Sequence, residues 1–219
     1  MIIDHFDRHP LISAKVADYL LFKQCYNLIV LKEHLTIDGL LKLVGIKASL
    51  NLGLPQNLQK AFPLAIPVSR PSYAFSGITD PQWLAGFASG EGSFGVKVAS
   101  SDTTKIGKRV QLRFSIGLNI RELELIKGIA AYLNLGSSQI DSKYVYLTEE
   151  AVHLQIINLS DIQKVVIPFF EKYPILGVKS LDFSDFCEVA RMMEAKDHIT
   201  PEGFNRILDI KAGMNRGRA

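Results

Sequence analysis

The sequence has few of the residues that build disulfide frameworks, metal clusters or membrane spans. It contains two cysteines, Cys25 and Cys187, which are too few for a disulfide framework or a cysteine-based zinc site. Both lie in apolar stretches with helical spacing, so we expect reduced core residues. No apolar run approaches the ~18–20 residues that a transmembrane helix requires. We therefore expect neither a membrane-spanning segment nor a membrane partner.

Neither sign of charge predominates in the chain as a whole. The 25 basic and 22 acidic residues give a net charge of +3, which does not by itself indicate a nucleic-acid partner. A hydrophobic fraction of 47% and a charged fraction of 21% in 219 residues are ordinary for one or two globular domains. Residues 93–119 differ, because they hold five basic residues and one acidic residue, a local charge of +4.

An internal repeat organises the chain. Residues 2–54 align without a gap to residues 166–218, at a constant offset of 164 (166 − 2), with 15 identities over 53 positions. The best stretch pairs Lys-Glu-His-Leu-Thr at 32–36 with Lys-Asp-His-Ile-Thr at 196–200. One register held over this length indicates duplication. The chain therefore holds one complete repeat and the tail of another.

Periodicity and capping residues predict the domains and elements. We expect a helical tail over 1–62, a proline-containing linker over 63–79 and the complete repeat over 80–219. Asp80-Pro81 predicts a helix start. The predicted helices span about 16–31, 36–50, 82–90, 121–133, 160–170, 178–195 and 200–213. Predicted strands span about 93–99, 110–117, 139–147 and 152–158, with a polar hairpin loop over 100–109.

The segment from Trp83 to Phe94 carries the most informative pattern. Ala85, Gly86, Ser89 and Gly90 place small residues on one helical face, which predicts a closely packed partner helix. Glu91 follows at the C-terminal end of that helix. A carboxylate at this end interacts unfavourably with the helix dipole, at a cost of ~0.3–1 kcal/mol. A bound divalent cation would make the local electrostatic interaction favourable.

Alternation in the first two predicted strands gives one polar face. Ser93, Lys97, Gln111, Arg113 and Ser115 lie on it, and we expect Lys105, Lys108 and Arg109 in the hairpin loop. Arginine and glutamine on a strand can reach base edges in DNA, whereas loop lysines more often contact phosphate. The facing of four polar residues on the later strands stays open: Tyr144, Tyr146, His153 and Gln155.

The segment Leu84–Gly92 resembles the LAGLIDADG motif of homing endonucleases. It departs from that motif at Ala88 and Ser89 and has Glu91 in place of the second aspartate, a variant common in proteins encoded by fungal mitochondrial introns. Flanking segments, including Gln111–Phe114, Gly177–Phe183 and 210–215, resemble that branch too. The resemblance covers essentially the whole chain. It implies an α+β fold whose αββαββα repeat forms a four-stranded antiparallel DNA-binding saddle.

The resemblance also implies an activity, namely site-specific hydrolysis of double-stranded DNA with a divalent metal such as Mg²⁺. Glu91, Gln111 and Lys179 match the expected catalytic set, and Glu91 with the carbonyl of Gly90 matches the metal ligands. Lys15 is the repeat mate of Lys179. The expected DNA contacts are Ser93, Lys97, Lys105, Lys108, Arg109, Gln111, Arg113 and Ser115. Lys211, Arg216 and Arg218 either contact backbone phosphate or form a solvated tail.

The incomplete first repeat leaves several hypotheses open. The chain is the C-terminal part of a longer product, a degenerate remnant, or a homodimer that pairs through the Leu84–Gly92 helix, and we favour the first two. In function, the alternatives to an endonuclease are a maturase that binds intron RNA and a non-catalytic DNA-binding remnant. The resemblance implies mitochondrial residence of an organelle-encoded protein. The N-terminus lacks the features of a transit peptide, which is compatible with a gene that lies in the organelle.

Overall fold

The computed structural model describes residues 2–135 and 143–218, and the chain divides into two compact units at Ser76–Gly77. In the described ranges, unit 1 is helical. It contains α1 (Ile2–Arg8), α2 (Lys15–Val30), α3 (Ile37–Ser49) and α4 (Gln56–Ala61). The predictions over 16–31 and 36–50 are confirmed as α2 and α3. Within the described residues, no helix is long and apolar enough to cross a membrane.

The predicted linker over 63–79 has no helix or strand, but its middle part packs on unit 1. The Val68 amide donates to the carbonyl of Gly45 at 3.3 Å. The Tyr73 hydroxyl donates to the carbonyl of Ile12. Arg70 Nη1 donates to Asp18 Oδ1 at 2.7 Å. These bonds hold the segment against α2 and α3, so this part of it is a strap rather than a free spacer.

Unit 2 consists of helices packed on one β-sheet. Its elements are α5 (Pro81–Glu91), β1 (Gly92–Ser100), β2 (Lys108–Asn119), α6 (Leu123–Tyr132), β3 (Val145–Leu147), β4 (Ala151–Ile156), α7 (Leu159–Asp161), a π-helical turn (Ile162–Val166), α8 (Ile167–Lys172), α9 (Lys179–Glu194) and α10 (Pro201–Ala212). The sheet order is β1-β2-β4-β3, and each neighbouring pair is antiparallel. This confirms the predicted four-stranded antiparallel sheet, although residues 139–142 of the third predicted strand lie outside the described ranges.

The apolar face of the sheet forms the core of unit 2. The predicted alternation is confirmed, because Phe94 and Val96 of β1 and Leu112, Phe114 and Ile116 of β2 are buried. The Phe94 ring lies 5.1–5.5 Å from four other phenylalanine rings, those of Phe114, Phe170, Phe183 and Phe186. This aromatic cluster fixes α8 and α9 on one face of the sheet and leaves the other face to solvent.

The predicted hairpin loop is shorter than expected. Strand β1 continues to Ser100 and β2 begins at Lys108, so the loop spans 101–107. Lys105 is in the loop and exposed, but Lys108 and Arg109 belong to β2, which corrects their predicted position. Lys108 lies opposite Ser100 and donates to its Oγ at 3.3 Å, in line with the buried residues of β2 rather than the polar ones. Beyond the strand ends, the Ser101 amide donates to the Gly107 carbonyl at 3.0 Å, and Thr104 Oγ1 donates to the carbonyl of Lys108 at 2.7 Å.

The two tails of the sequence repeat adopt the same local structure. Lys32 and Lys196 have positive φ angles of 58° and 64°, and each precedes a 3-10 turn. The threonine after each turn caps the next helix, with Thr36 Oγ1 and Thr200 Oγ1 accepting from glycine amides at 3.0 and 3.1 Å. The residue repeat is thus a structural repeat.

Glycine is required at those capped amides. A Cβ on Gly39 would lie 1.9 Å from the Glu33 carbonyl oxygen, and one on Gly203 would lie 2.3 Å from that of Asp197. The backbone of the helix start therefore touches the preceding turn in both copies. This close approach explains why the Thr-x-x-Gly spacing recurs in both copies of the repeat.

A buried carboxylate gives unit 1 a specific acid sensitivity. Asp18 accepts from Arg70 and, at 3.1 Å, from the Asn51 amide, and Arg70 chiefly lowers the pKa of Asp18 to about 2. An unfolded aspartate titrates near 3.8. The native interaction therefore contributes about 2 kcal/mol above pH 4, and this stability is lost as the pH falls from about 4 towards 2.

Replacing Asp18 with asparagine tests that contribution. Asp18→Asn is expected to lower the unfolding free energy of unit 1 by about 2 kcal/mol at neutral pH and to have little effect near pH 2. Urea-dependent hydrogen exchange of peptides from α2 measures this difference. A penalty that is equal at both pH values would show that the charge on Asp18 is not the cause.

Both cysteines are free thiols in the structure, as expected. Cys25 is half-buried and Cys187 is buried. Burial raises the pKa of the Cys187 thiol to about 11, which keeps it protonated and unreactive at neutral pH.

Candidate functional site

The carboxylate of Glu91 lies at the junction of α5 and the sheet. Asp80 caps α5, accepting from the Gln82 amide at 2.8 Å, and Pro81 occupies the first helical position. Helix α5 ends at Glu91, and β1 begins at the next residue, Gly92. Glu91 is exposed. The turn from helix to strand thus presents one carboxylate at the C-terminal end of the helix dipole, where negative charge is unfavourable without a cation nearby.

Lys179 converges on the same helix end. It is the first residue of α9, and its ammonium donates to the carbonyls of Gly90 at 3.0 Å, Gly92 at 2.5 Å and Ala88 at 3.4 Å. Burial lowers the pKa of Lys179, while the negative charges of Glu91 and Asp182 act in the opposite direction. The structure therefore joins three sequence-predicted residues, Glu91, Gly90 and Lys179, in one site.

The small-residue face of α5 is narrower than predicted. Ala85 is buried within unit 2. Ser89 donates to the Ala85 carbonyl at 2.8 Å and accepts from the Leu176 amide at 3.1 Å. Gly86 and Gly90, by contrast, are exposed, and a Cβ on either would meet open space. The residues available to a partner helix are thus Gly86 and Gly90, while Ala85 and Ser89 serve the fold of the unit itself.

The solvent face of the sheet is basic and unpaired. On this polar sheet face, the cross-strand register sets Ser93 opposite Ser115, Gly95 opposite Arg113, Lys97 opposite Gln111 and Ala99 opposite Arg109. In the described ranges, no carboxylate lies within ion-pair distance of Lys97, Arg109 or Arg113. A strand face with free arginine, lysine and glutamine can contact phosphates and base edges of a duplex.

Gln111 does not lie beside Glu91. The register sets Ile116 of β2 opposite Gly92, five residues from Gln111 (116 − 111). At ~3.3 Å per residue, this separates Gln111 from the Glu91 end of the sheet by roughly 16 Å. Within this chain, the register does not place Gln111 next to Glu91, so its membership of the catalytic set stays a prediction. Its position opposite Lys97 fits the other predicted role, which is contact with DNA.

Two residues whose facing was left open by the sequence lie in the cross-strand rows of the sheet nearest Glu91. Gln155 of β4 is opposite Ser115, which is itself opposite Ser93, and His153 is opposite Gly117. The His153 ring stacks on Tyr146 with a centroid distance of 4.9 Å. Their alternation with buried Val152 and Leu154 is the sequence signal that could have assigned His153 and Gln155 to the polar face. Their nearness to Glu91 required the strand order.

Arg218 is a structural residue. It donates from Nε to Asp182 at 3.1 Å and from Nη2 to Asp185. Asp182 also accepts from the Asn215 amide at 2.9 Å. Arg218 therefore fastens the C-terminal segment to α9, which excludes it from the three basic residues that were candidates for phosphate contact.

The oxygen atoms at the end of α5 fit one metal cation that also takes oxygen ligands from other groups. Among the described residues, no cluster of three or more His, Cys, Asp or Glu side chains could hold a metal. Mg²⁺, however, is usually held by one or two carboxylates together with waters and substrate phosphates. The Glu91 carboxylate and the adjacent Gly90 carbonyl have that chemistry.

Comparison with known proteins decides the family. The profile described as "LAGLIDADG endonuclease" matches residues 84–190. The LAGLIDADG meganuclease I-CpaMI, in its crystal structure bound to uncleaved DNA, is 52% identical, with a TM-score of 0.94, over 98% of this chain and 72% of that one. The chain belongs to the LAGLIDADG endonuclease family. The LAGLIDADG fold predicted from the motif is thereby confirmed.

Other similar proteins extend the comparison. The homing endonuclease I-SmaMI bound to cleaved DNA is 41% identical with a TM-score of 0.94, over 100% of this chain and 71% of that one. The probable intron-encoded endonuclease 3 of Neurospora crassa is 42% identical over 94% of this chain. The probable intron-encoded endonuclease 2 of the same fungus is 33% identical over 98%. The chain spans 38% and 47% of the lengths of these two proteins.

Proposed function

We propose that this chain forms part of a site-specific homing endonuclease that hydrolyses phosphodiester bonds in double-stranded DNA with a divalent metal. The observation that carries the proposal is the convergence of Glu91, the Gly90 carbonyl and Lys179 at the edge of an unpaired basic sheet face. LAGLIDADG relatives with 52% and 41% identity are bound to DNA in their crystal structures, which supports duplex DNA as the partner.

Glu91 and the Gly90 carbonyl are the residues that would hold the metal, for which we propose Mg²⁺. I-SmaMI bound to an uncleaved target in the presence of calcium ions supports a divalent cation. When bound, such an ion activates water and stabilises the leaving oxygen in phosphodiester hydrolysis. Glu91 supplies the negative charge that attracts the cation. Lys179 holds the junction of α5 and β1 through the carbonyls of Ala88, Gly90 and Gly92.

The polar sheet face binds the substrate in this proposal. Lys97, Gln111 and Arg113 project from adjacent strands and contact base edges or phosphates in the major groove. Ser93 and Ser115 lie closer to Glu91, while Lys105 and Arg109 contact the backbone near the hairpin. Lys108, which is aligned with the buried face, makes at most a peripheral phosphate contact.

A second motif helix completes the site. Gly86 and Gly90 leave α5 open to close approach of another helix backbone. Unit 1 supports a preceding repeat as its source. Phe22 is 48% exposed, whereas its repeat mate Phe186 is fully buried beneath the sheet. We propose that a preceding αββ segment covers Phe22 and supplies the second carboxylate, and that pairing of two copies of this chain through Leu84–Gly92 is the alternative.

A cleavage assay tests the proposed function. The chain is incubated with Mg²⁺ and a plasmid library of random duplex targets, alone and together with the part of I-CpaMI that this chain does not cover, as a candidate source of a second motif helix. Enrichment of linear products at one sequence supports the endonuclease. Specific binding of intron RNA without cleavage in either mixture would instead identify a maturase, and weak DNA binding without cleavage would identify a remnant.

Lys179 is expected to act on the rate more than on binding. Lys179→Met keeps the apolar stem but removes three hydrogen bonds to the end of α5. We expect the single-turnover cleavage rate to fall about 10²-fold, comparable to the loss of one preorganised donor, with the DNA dissociation constant unchanged. Lys179→Arg should recover part of the rate. An equal loss of rate and DNA affinity in the methionine variant would contradict this role.

The relatives also support a cellular location. The two Neurospora crassa relatives are named as probable intron-encoded endonucleases, 42% and 33% identical to this chain. We propose that the present chain is likewise intron-encoded and resides in the mitochondrion. Sequencing the genomic context of its reading frame tests this, and a nuclear gene with an added import signal would contradict organelle encoding.

A further inference from the structure

A groove in unit 2 lies where the C-terminal turn meets the polar sheet face. The 3-10 turn Asn215–Gly217 forms one wall, and Ser93 and Arg113 of the sheet form the other. The groove has a volume of about 530 Å³. Among the residues that the structure describes, it is lined by three basic side chains, Arg113, Lys211 and Arg216, and by no acidic residue.

The wall carrying Arg216 is fixed in position. The Asn215 side chain donates from Nδ2 to the Phe94 carbonyl at 3.0 Å, which fastens the turn to β1. The Asn215 amide and Arg218 both bind Asp182 on α9. The neighbours of Arg216 on both sides are thus used to hold the turn. Arg216 itself is exposed on a rigid support, which lowers the entropic cost of using it in binding.

The three cations of this groove are available to a ligand. In the described ranges, none of Arg113, Lys211 and Arg216 has a carboxylate within ion-pair distance. All three are exposed. Gly95, opposite Arg113 in the register, adds no side chain that would fill the space beside it. Three free positive charges around one concave surface favour an anionic ligand.

The internal repeat shows that the fold does not require these charges. The repeat mates of Lys211 and Arg216 are Lys47 and Leu52. Lys47 donates to the carbonyl of Gly53 at 2.6 Å, so it is used within unit 1, and Leu52 is apolar and fully exposed. The same turn therefore forms without a basic groove. The positive charge in unit 2 calls for an explanation other than folding.

We propose that the groove formed by Arg113, Lys211 and Arg216 binds a phosphodiester group of the backbone of duplex DNA. The proposal rests on the proposed function and assigns the C-terminal turn a role in holding the substrate. Arg216 and Lys211 contact the phosphate from the turn and α10, while Arg113 contacts it from the sheet. Such a contact carries no sequence information and instead fixes the register of the duplex on the polar sheet face.

The salt dependence of DNA binding tests this site in the full chain. Fluorescence anisotropy with a labelled duplex measures the slope of log Kd against log salt concentration. Arg216→Ala and Lys211→Ala should each weaken binding at low salt and reduce the slope by about 0.9, as expected for one lost phosphate contact. Arg216→Lys should retain the slope. Lys164→Ala is the matched control, because Lys164 lines a separate groove together with Glu171 and Glu194.

A second measurement separates this proposal from the proposed function. NMR follows the side-chain Nε–Hε signals of Arg113 and Arg216 as inorganic phosphate is added, with Arg191 of the separate groove as the control. Selective shifts of Arg113 and Arg216 support the groove even if the chain binds no DNA, a result that would overturn only the proposed function. Equal shifts of all three arginines, or unchanged salt slopes in a chain that binds DNA, would overturn the proposal. If Arg216→Ala and Lys211→Ala lowered the affinity for RNA but not for duplex DNA, this result would overturn the proposal too.

Discussion

Replacing Glu91 with glutamine is expected to abolish DNA cleavage without disturbing the fold. Glu91 is exposed at the end of α5, and its carboxylate has no hydrogen-bond partner among the described residues that glutamine would lose. It provides the only charge we assign to metal binding in this chain. Its removal costs several kcal/mol of transition-state stabilisation, which corresponds to at least about 10³-fold in the single-turnover rate.

The variant is most informative when cleavage, binding and stability are measured together. In the reconstituted cleavage assay, Glu91→Gln should retain the DNA affinity and melting temperature of the unchanged chain. Glu149→Gln, at the exposed turn between β3 and β4, removes an equal charge away from α5 and should cleave normally. Cleavage by Glu91→Gln at the unchanged rate would remove this carboxylate from the mechanism.

Truncating Phe186 is expected to be the most destabilising of the changes considered for the fold. Its side chain is fully buried, and its ring lies 5.4 Å from that of Phe94 in the aromatic cluster. Phe186→Ala leaves a cavity beneath the sheet and should cost about 3–5 kcal/mol. Phe22 is the same residue at the matching repeat position, but it is 48% exposed. Phe22→Ala should therefore cost about 1 kcal/mol or less.

The repeat supplies a matched measurement for this pair. Urea-dependent hydrogen exchange reports separately on peptides from α2, which contains Phe22, and from α9, which contains Phe186. The fluorescence of Trp83, the only tryptophan, follows the unfolding of unit 2 independently. A large loss in α2 from Phe22→Ala in the isolated chain would mean that its ring is already covered in solution.

Local chemistry made several elements predictable. Asp80 caps its helix as expected, and Thr36 and Thr200 cap theirs in the same way, because a short polar side chain can accept from the free amides at a helix start. Strict alternation in β1 and β2 predicted which side chains are buried, because successive residues of a strand point to opposite faces. The hairpin was less predictable, since polar residues such as Lys108 and Arg109 continue the backbone ladder.

The site was only partly predictable for a related reason. The motif resemblance gave Glu91, Gly90 and Lys179, and the structure brings them together across 88 positions of sequence (179 − 91). Gln111 does not join them, because the strand register, which no local pattern reports, places it further along β2. Gln155 and His153 lie at the same end of the sheet as Glu91 because β4 pairs with β2, a long-range contact.

By itself, the sequence determined the repeat, the capped helices, the two faces of the strands and the basic character of residues 93–119, all of which depend on neighbours along the chain. Only the tertiary structure decided how identical residues are used. Phe22 and Phe186 occupy the same position in the two copies of the repeat but differ in burial, because the sheet of unit 2 covers α9. Arg216 and Arg218 are two residues apart, yet Asp182 and Asp185 engage only Arg218. Burial and ion pairing depend on which distant elements meet, and that is a property of the folded chain.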